Sequence, residues 1–191
     1  MLKDLIISRV RVKILSLFFL APGMIYHVRE IVRRTDEEIN AVRRELSNLE
    51  KAGIMTKEKR ANRLFYVLRR DYPLYYDLLE LIVKCYGLGG EIIKKRAKLG
   101  RIKFAMISGK YARNSVRDAN DVDMLIVGKV VLPEISQIIR QEEQKREREI
   151  NYTVMSEDEF EFRKRRRDPF VISILNGARI MVIGDEEELV K

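Results

Sequence analysis

Residues 36–68 constrain the fold most, because they change from a helical to a strand-like pattern within a short stretch. In the first half, apolar residues recur at helical spacing, so one face of a helix can be buried. These residues are Ile39, Val42, Leu46 and Leu49. Thr35 or Asp36 is suited to cap the start of this helix, and Gly53 is suited to end it. The pattern predicts an amphipathic helix with an exposed polar face.

Two short strand-like runs follow the glycine, at residues 54–57 and 64–68, with a polar connection at 58–63. A shorter amphipathic segment at residues 28–34 precedes the main helix, and residues 24–27 are expected to form a short strand that can pair with the hairpin. A short helix, a second helix and a basic hairpin, in that order, are typical of a helix-turn-helix with a wing.

The polar side chains of this region suit DNA. A helix fits the major groove, where arginine reads guanine and asparagine reads adenine, and a basic hairpin can follow the phosphate backbone. The alternative is an ordinary amphipathic helix with a solvated charged face, but the adjoining hairpin favours DNA. The predicted DNA-binding residues are Asn40, Arg43, Arg44 and Ser47 on the helix and Lys57, Lys59, Arg60 and Arg63 on the hairpin.

The segment NAVRRELSNLEKAGI and its hairpin resemble the winged helix-turn-helix of ArsR-like and MarR-like transcription factors. The resemblance implies double-stranded DNA as partner, a role in transcription regulation, and a homodimer that reads two half-sites. An apolar helix predicted at residues 74–86 either packs on the winged helix or forms the dimer contact, and both readings stay open.

Charge supports the same partner class. The chain of 191 residues has a formal net charge of +9 and a pI of about 9.6, which favours polyanions. Up to Leu88 there are 17 Lys and Arg against 11 Asp and Glu, whereas the remainder has 21 against 18. The excess positive charge is therefore concentrated where the helix-turn-helix is predicted.

Two residue types are nearly absent. Cys85 is the only cysteine, so no intrachain disulfide can form and a reducing compartment is expected. His27 is the only histidine, which excludes zinc sites built on histidine pairs, and we expect it to be structural. No apolar run reaches membrane-spanning length and no secretory signal is evident, so we expect a cytoplasmic protein without a membrane partner.

The glycine-rich run GLGG at residues 87–90 predicts a boundary between a domain at 1–88 and a domain at 89–191. The second part alternates helices with strands at 102–107, 121–127, 150–154 and 179–183. We therefore predict an α+β protein, with the winged helix-turn-helix followed by a small α/β domain.

Asp121 and Asp123 are two residues apart on a predicted strand, so both side chains point to one face. Such a pair can bind magnesium and present a nucleoside triphosphate. Upstream, Gly109 lies where a strand turns into a helix, which lets backbone N–H groups approach phosphates. Gly109 and Lys110 are accordingly the candidate nucleotide-binding residues.

The segment ISGKYARNSVRDANDVDMLIVG resembles the minimal nucleotidyltransferases of the DNA polymerase β superfold. That resemblance implies Mg²⁺ and a nucleoside triphosphate as cofactor and ligand, with Asp121 and Asp123 as metal ligands and a third carboxylate on a later strand. The sequence departs from the pattern at three places, where Lys110 replaces a serine, Asn114 a glycine and Asn151 the third carboxylate. Glu149 lies on the same predicted strand face as Asn151.

We therefore expect Lys110 to contact Asp121 or Asp123 and supply the charge that magnesium supplies elsewhere, in an inactive domain without a metal or cofactor. The predicted function is a DNA-binding transcriptional regulator. The alternatives are an active magnesium-dependent nucleotidyltransferase that uses Asp121 and Asp123, and a protein-interaction module.

The basic run at residues 163–167 is expected either to contact DNA phosphates or a nucleotide, or to be a solvated helix end.

Overall fold

The computed structural model describes residues 6–116, 118 and 121–191, which form an α+β protein with two sheets. The chain divides into two compact units, Met1–Cys85 and Tyr86–Lys191. The GLGG run, which was predicted to mark the boundary, forms the first turn of a helix in the second unit. Each helix in the described residues is too short or too polar to cross a lipid bilayer.

The first unit contains helices and a small antiparallel sheet, in which the strand Arg63–Leu68 lies between Tyr26–His27 and Met55–Arg60. The strand predicted at residues 24–27 is confirmed in part, since Tyr26 and His27 pair with the central strand. In chain order, the elements are α1 (Arg9–Phe19), β1 (Tyr26–His27), α2 (Val28–Thr35), α3 (Ile39–Lys51), β2 (Met55–Arg60), β3 (Arg63–Leu68) and α4 (Tyr75–Cys85).

Helix α1 is the centre of packing in this unit. The spacing of its apolar residues predicts a helix at residues 2–20 that buries Leu5, Ile6, Val10, Ile14, Leu17 and Phe18. In the structure the helix begins at Arg9, where the Ser8 hydroxyl caps it by accepting a hydrogen bond from the Arg11 N–H at 3.2 Å. Part of the prediction, including Leu5, lies outside the described residues. Ile14 and Phe18 are buried as predicted, but Val10 and Leu17 are only half-buried. Because α1 packs against α2, α3 and α4, its buried face is wider than the single apolar face that was predicted. The additional buried residues are Val12, Leu15 and Phe19.

The junction between α2 and α3 differs from the prediction that Thr35 or Asp36 caps α3. The Thr35 hydroxyl donates to the Ile31 carbonyl at 2.7 Å, and Asp36 ends α2 in the left-handed conformation, with φ of 51°. The cap of α3 is instead Glu38, whose carboxylate accepts from the N–H groups of Asn40 and Ala41 at 2.7 and 2.9 Å. These backbone hydrogen bonds lower the pKa of Glu38.

The hairpin after α3 is longer and more regular than predicted. Gly53 follows the end of α3 with φ of 77°, which confirms its predicted role. The predicted polar loop at 58–63 is mostly strand, because the ladder continues until Arg60 faces Arg63. Only Ala61 and Asn62 form the turn, so nearly every cationic residue of the hairpin stands on a strand.

The second unit is built on a four-stranded sheet. Its strands lie in the order Tyr152–Met155, Met124–Val130, Gly100–Ser108 and Arg179–Ile183, of which the first two are parallel and the other neighbours antiparallel. A short 3₁₀ turn, Arg96–Lys98, precedes the first of these strands. In chain order, the elements are α5 (Gly87–Lys95), β4 (Gly100–Ser108), α6 (Gly109–Ala112), β5 (Met124–Val130), α7 (Leu132–Arg146), β6 (Tyr152–Met155), α8 (Glu157–Arg165), α9 (Pro169–Asn176), β7 (Arg179–Ile183) and α10 (Glu186–Val190).

The strand directions bring several predicted site residues to one end of this sheet. At that end β4 finishes at Ser108 while β5, β6 and β7 begin. The apolar residues of the strands pack beneath helices α8 and α9, in a core that includes Phe104, Leu125, Phe160 and Val171. The sheet end is thus held by a buried core behind it.

A buried carboxylate joins α1 to α3 in the first unit. Glu45 is only 7% exposed, and its two oxygens accept hydrogen bonds from the Ser8 hydroxyl and the Arg11 guanidinium, each at 2.9 Å. Burial raises the pKa of Glu45, but the hydrogen bonds from Arg11 and Ser8 outweigh burial, so the pKa is lowered. The folded state therefore favours the charged form of Glu45.

We predict that Glu45→Gln lowers the free energy of unfolding by about 1–3 kcal/mol at neutral pH, because a charge-assisted hydrogen bond is removed from a buried place. Glu80→Gln removes an exposed ion pair with Lys84 and should cost less than about 1 kcal/mol. A lowered folded pKa contributes stability that is present above the ordinary value of 4.5 and lost as the pH falls through the folded value. Urea unfolding should therefore show that the free energies of unfolding of the wild type and Glu45→Gln converge in acid. A difference between them that does not depend on pH would contradict the role given to the Glu45 carboxylate.

Candidate functional site

The outward face of α3 carries the residues predicted to read DNA. Asn40, Arg43 and Arg44 are exposed and Ser47 is half-buried. Within the described residues, neither guanidinium of Arg43 and Arg44 forms an ion pair. The opposite face is buried, as predicted, through Val42, Leu46 and Leu49. The helix therefore presents two uncommitted arginines and an amide on a surface held from behind by the core.

The β2–β3 hairpin carries a second set of exposed cations, which are Lys57, Lys59, Arg60 and Arg63. Lys57 pairs with Glu50 at 3.0 Å, which raises the pKa of the lysine. Arg60 pairs with Glu58 at 2.9 Å and lies over the Phe65 ring at 5.6 Å. Lys59 and Arg63 are in no ion pair with another described residue. Half of the hairpin cations are therefore held in place and half are free to accept an external anion.

His27 connects the small sheet to α2, as a structural residue. Its Nδ1 accepts a hydrogen bond from the Glu30 N–H at 3.3 Å, and its ring meets the Phe65 ring edge-on at 5.7 Å.

The sequence analysis assigned no DNA-binding residue to α2 and missed its exposed cations Arg29 and Arg33. The signal was present in VREIVRRT, where only Ile31 and Thr35 turn fully inward.

The two aspartates of the second unit do not form the predicted pair on one strand face. Strand β5 begins at Met124, after both residues. Asp123 is 1% exposed, and its Oδ2 accepts from the Asn151 N–H at 2.9 Å, while its own N–H donates to the Asn151 carbonyl at 2.7 Å. Asp121 is half-exposed. The predicted strand at 121–127 is therefore wrong at its start, because β5 begins at Met124.

Lys110 contacts the exposed member of the pair, as predicted. Its ammonium group lies 2.7 Å from Asp121 Oδ2 and 3.3 Å from Asp118 Oδ2. The hydrogen bond to Asp121 raises the pKa of Lys110, so the lysine stays charged. The same Asp121 oxygen also accepts from the Asp118 N–H at 2.7 Å. Asp121 Oδ2 is therefore already engaged by two donors of the chain itself.

Gly109 follows β4 at the predicted strand-to-helix junction, but packing explains the glycine. Its N–H donates to the Ala178 carbonyl at 2.6 Å. A methyl group at this position would lie 2.8 Å from the Ala178 Cβ and 2.9 Å from its carbonyl oxygen, which is too close for any larger residue. The amide proposed to approach a phosphate is thus bonded within the sheet end.

The other departures from the nucleotidyltransferase pattern are also used within the fold. Asn114 adopts φ of 51°, a conformation that asparagine tolerates better than most residues, and its Oδ1 accepts from Arg148 at 2.8 Å. The Asn151 side chain donates to the Asp121 carbonyl at 3.3 Å. The suggestion that Glu149 shares a strand face with Asn151 is wrong, because both precede β6.

A buried tyrosine lies beside this cluster. Tyr111 is 3% exposed, and its hydroxyl has no hydrogen-bond partner among the residues that the structure describes. Burial raises the pKa of Tyr111 to about 12. The guanidinium groups of Arg146 and Arg148 lie over its ring at 5.0 and 5.4 Å. The tyrosine is therefore a neutral residue of the core.

These residues do not fit a magnesium site. Among the described residues, no three His, Cys, Asp or Glu side chains are grouped to hold a metal ion. Mg²⁺ requires oxygen ligands in near-octahedral geometry, whereas here a lysine ammonium contacts Asp121 and an amide replaces the third carboxylate. The Lys110 ammonium group therefore takes the place beside Asp121 that a metal ion would need.

We predict that neither Mg²⁺ nor Mg²⁺ with ATP binds tightly at this cluster, because the cation would have to displace the Lys110 ammonium group. Calorimetric titration of the full chain should show no saturable heat, and Asp121→Asn should leave that result unchanged. Tight binding that disappears in Asp123→Ala, in a variant that still unfolds cooperatively, would contradict the expectation.

The predicted DNA-binding residues of the first unit thus include cations without an ion pair among the described residues, whereas Asp121 in the second unit is paired with Lys110. Comparison of the chain with protein-family models, with curated proteins and with solved structures found no match.

Proposed function

We propose that the protein is a DNA-binding transcriptional regulator, in which the first unit acts as a winged helix-turn-helix. In this proposal α2 and α3 are the helix-turn-helix and the β2–β3 hairpin is the wing. The observation that carries the proposal is the exposure of Asn40, Arg43 and Arg44 on the face of α3 opposite its buried residues. Uncommitted arginines on a helix that is fixed from behind match the needs of major-groove recognition.

The side chains of α3 supply the specific contacts. Arginine forms a bidentate pair with the O6 and N7 atoms of guanine, and asparagine does so with adenine. Arg43 and Arg44 are free to make such pairs because no described carboxylate holds them. Each good pair discriminates against a wrong base by about 1–3 kcal/mol. Ser47, which is half-buried, is suited to a phosphate or base edge near the centre of the helix.

The wing supplies contacts that do not depend on sequence. Lys59 and Arg63 can bind phosphates directly. Lys57 and Arg60 are already oriented by Glu50 and Glu58, and these exposed pairs are weak enough to exchange for a phosphate. The wing therefore contributes affinity and salt dependence.

We further propose that two copies bind together, since a two-fold dimer places two recognition helices on two half-sites. Helix α4 has a packing role within its own unit, where Tyr75 meets Phe19 at a ring distance of 5.4 Å and Leu79 and Ile82 are buried. Leu74 and Tyr76 are more than half exposed beside that face. They are the apolar residues available to a second copy.

The second unit, on this proposal, is a nucleotidyltransferase-like fold without catalysis. Three groups that catalysis would use are committed elsewhere, since Gly109 binds Ala178, Lys110 binds Asp121 and Asp123 binds Asn151. The same observations weigh against the alternative of a magnesium-dependent transferase that uses Asp121 and Asp123.

We predict that replacing Arg43 and Arg44 together by alanine weakens binding to a selected DNA sequence by about 2–6 kcal/mol, while binding to random duplex changes less. The preferred duplex is first selected from random DNA with the purified protein, and fluorescence anisotropy then gives both affinities. Arg69→Ala with Lys84→Ala is the matched control, because it also removes two exposed cations of the first unit. Equal effects of the two double variants would remove α3 as the recognition helix.

We predict that Lys59→Gln with Arg63→Gln weakens binding to all duplexes alike, because phosphate contacts carry no sequence information. The slope of log affinity against log salt should become shallower by about 1 for each phosphate that the variant no longer binds. An unchanged slope, with the selected sequence still preferred, would show that the wing does not touch the backbone.

A further inference from the structure

The second unit carries a cationic surface that the proposed function has not yet used. It lies at the end of α8, where the chain reads Arg163, Lys164, Arg165, Arg166 and Arg167. The first two of these residues serve the fold. Arg163 pairs with Glu159 at 2.8 Å, and the Lys164 ammonium donates to the Leu189 carbonyl at 2.8 Å. The remaining three residues are exposed.

The exposed three, Arg165, Arg166 and Arg167, have no ion pair with any carboxylate in the described part of the chain. The nearest carboxylate in sequence, Asp168, is occupied, because its Oδ1 caps α9 by accepting from the N–H groups of Phe170 and Val171 at 3.0 and 3.2 Å. Other cations of this unit, such as Lys95 and Arg146, do pair with acidic residues. The three arginines are consecutive, so their charge is concentrated at one point of the chain.

The helix end explains only part of this arrangement. A helix C terminus stabilises a nearby cation by about 0.3–1 kcal/mol, and the effect fades beyond the last turn. Arg166 and Arg167 lie beyond the last helical residue, and three adjacent guanidinium groups repel one another. A polyanion would remove this repulsion, which solvation alone only screens.

The geometry also prepares these side chains for phosphate. The Arg166 guanidinium lies 4.7 Å from the centre of the Phe162 ring, which is itself 53% exposed. Stacking restricts the guanidinium to a plane and leaves its donors outward, which suits bidentate contact with phosphate. Arg167 turns the chain with φ of 53°, and the Arg167 and Asp168 N–H groups each close the turn at 3.0 Å. The three arginines thus stand on a fixed turn.

We propose that Arg165, Arg166 and Arg167 bind the phosphate backbone of duplex DNA, as a contact surface additional to that of the first unit. This inference rests on the DNA binding proposed above and assigns the second unit a part in it. The contact adds affinity and salt dependence without changing which sequence is preferred, because it reads phosphates only.

The test uses the full chain, its selected duplex and a random duplex, with affinity measured over a range of salt concentrations. Replacing the three arginines by glutamine should weaken binding to both duplexes in the same proportion and make the salt slope shallower by about 2–3. Replacing them by lysine keeps the charge and should retain most of the slope. Cooperative thermal unfolding at the wild-type temperature confirms that the variants are folded.

The matched control removes three other exposed cations of the same unit, through Lys98→Gln, Arg101→Gln and Lys129→Gln. If the arginine variant keeps the wild-type slope, or loses no more than this control, the proposal is overturned. If binding depends on Arg43 and Arg44 but not on the three arginines, only this proposal fails. If the wild-type chain binds no duplex at low salt, the function proposed for the first unit fails with it.

Discussion

The buried carboxylate of Glu45 fixes how the first unit presents itself. It lies on α3, two residues after Arg43 and one after Arg44, and it binds Ser8 and Arg11 of the α1 region. Because a charged group cannot leave these partners without a cost in free energy, α3 cannot rotate about its own axis. The neighbouring arginines are consequently held outward. One inward carboxylate and a row of apolar residues thus determine which side chains a partner can reach.

In the second unit, residues that resemble a catalytic pattern are explained by contacts within the chain. Ala178 leaves no space for a residue larger than Gly109, and Asn114 takes a left-handed conformation that glycine would also accept. Lys110 and Asp121 neutralise each other on the surface, while Asp123 ties the start of β5 to residue 151. The charge of Asp121 is therefore neutralised within the chain.

Periodicity alone predicted much of this fold. The last strand, at 179–183, and the buried face of α3 agree with the sequence pattern, because burial on one side of a regular element leaves a repeating signature. The contact between Lys110 and Asp121 agrees with the expectation that Lys110 contacts Asp121 or Asp123, which rested on a resemblance and not on periodicity. The misses depend on tertiary contacts that no local pattern contains. Thr35 does not cap α3, since its hydroxyl donates to the Ile31 carbonyl, and Asp123 lies just before β5, where its carboxylate accepts from the Asn151 N–H.

The shared strand β3 joins the hairpin to α2. It pairs with β2 on one side and with Tyr26 and His27 on the other, and α2 begins at the very next residue, Val28. The ladders of β3 therefore connect the hairpin directly to the start of α2. On the proposed function, a duplex held by both would need a groove width and curvature that fit the two together, so its mechanical properties would contribute to selection at base pairs that no side chain touches.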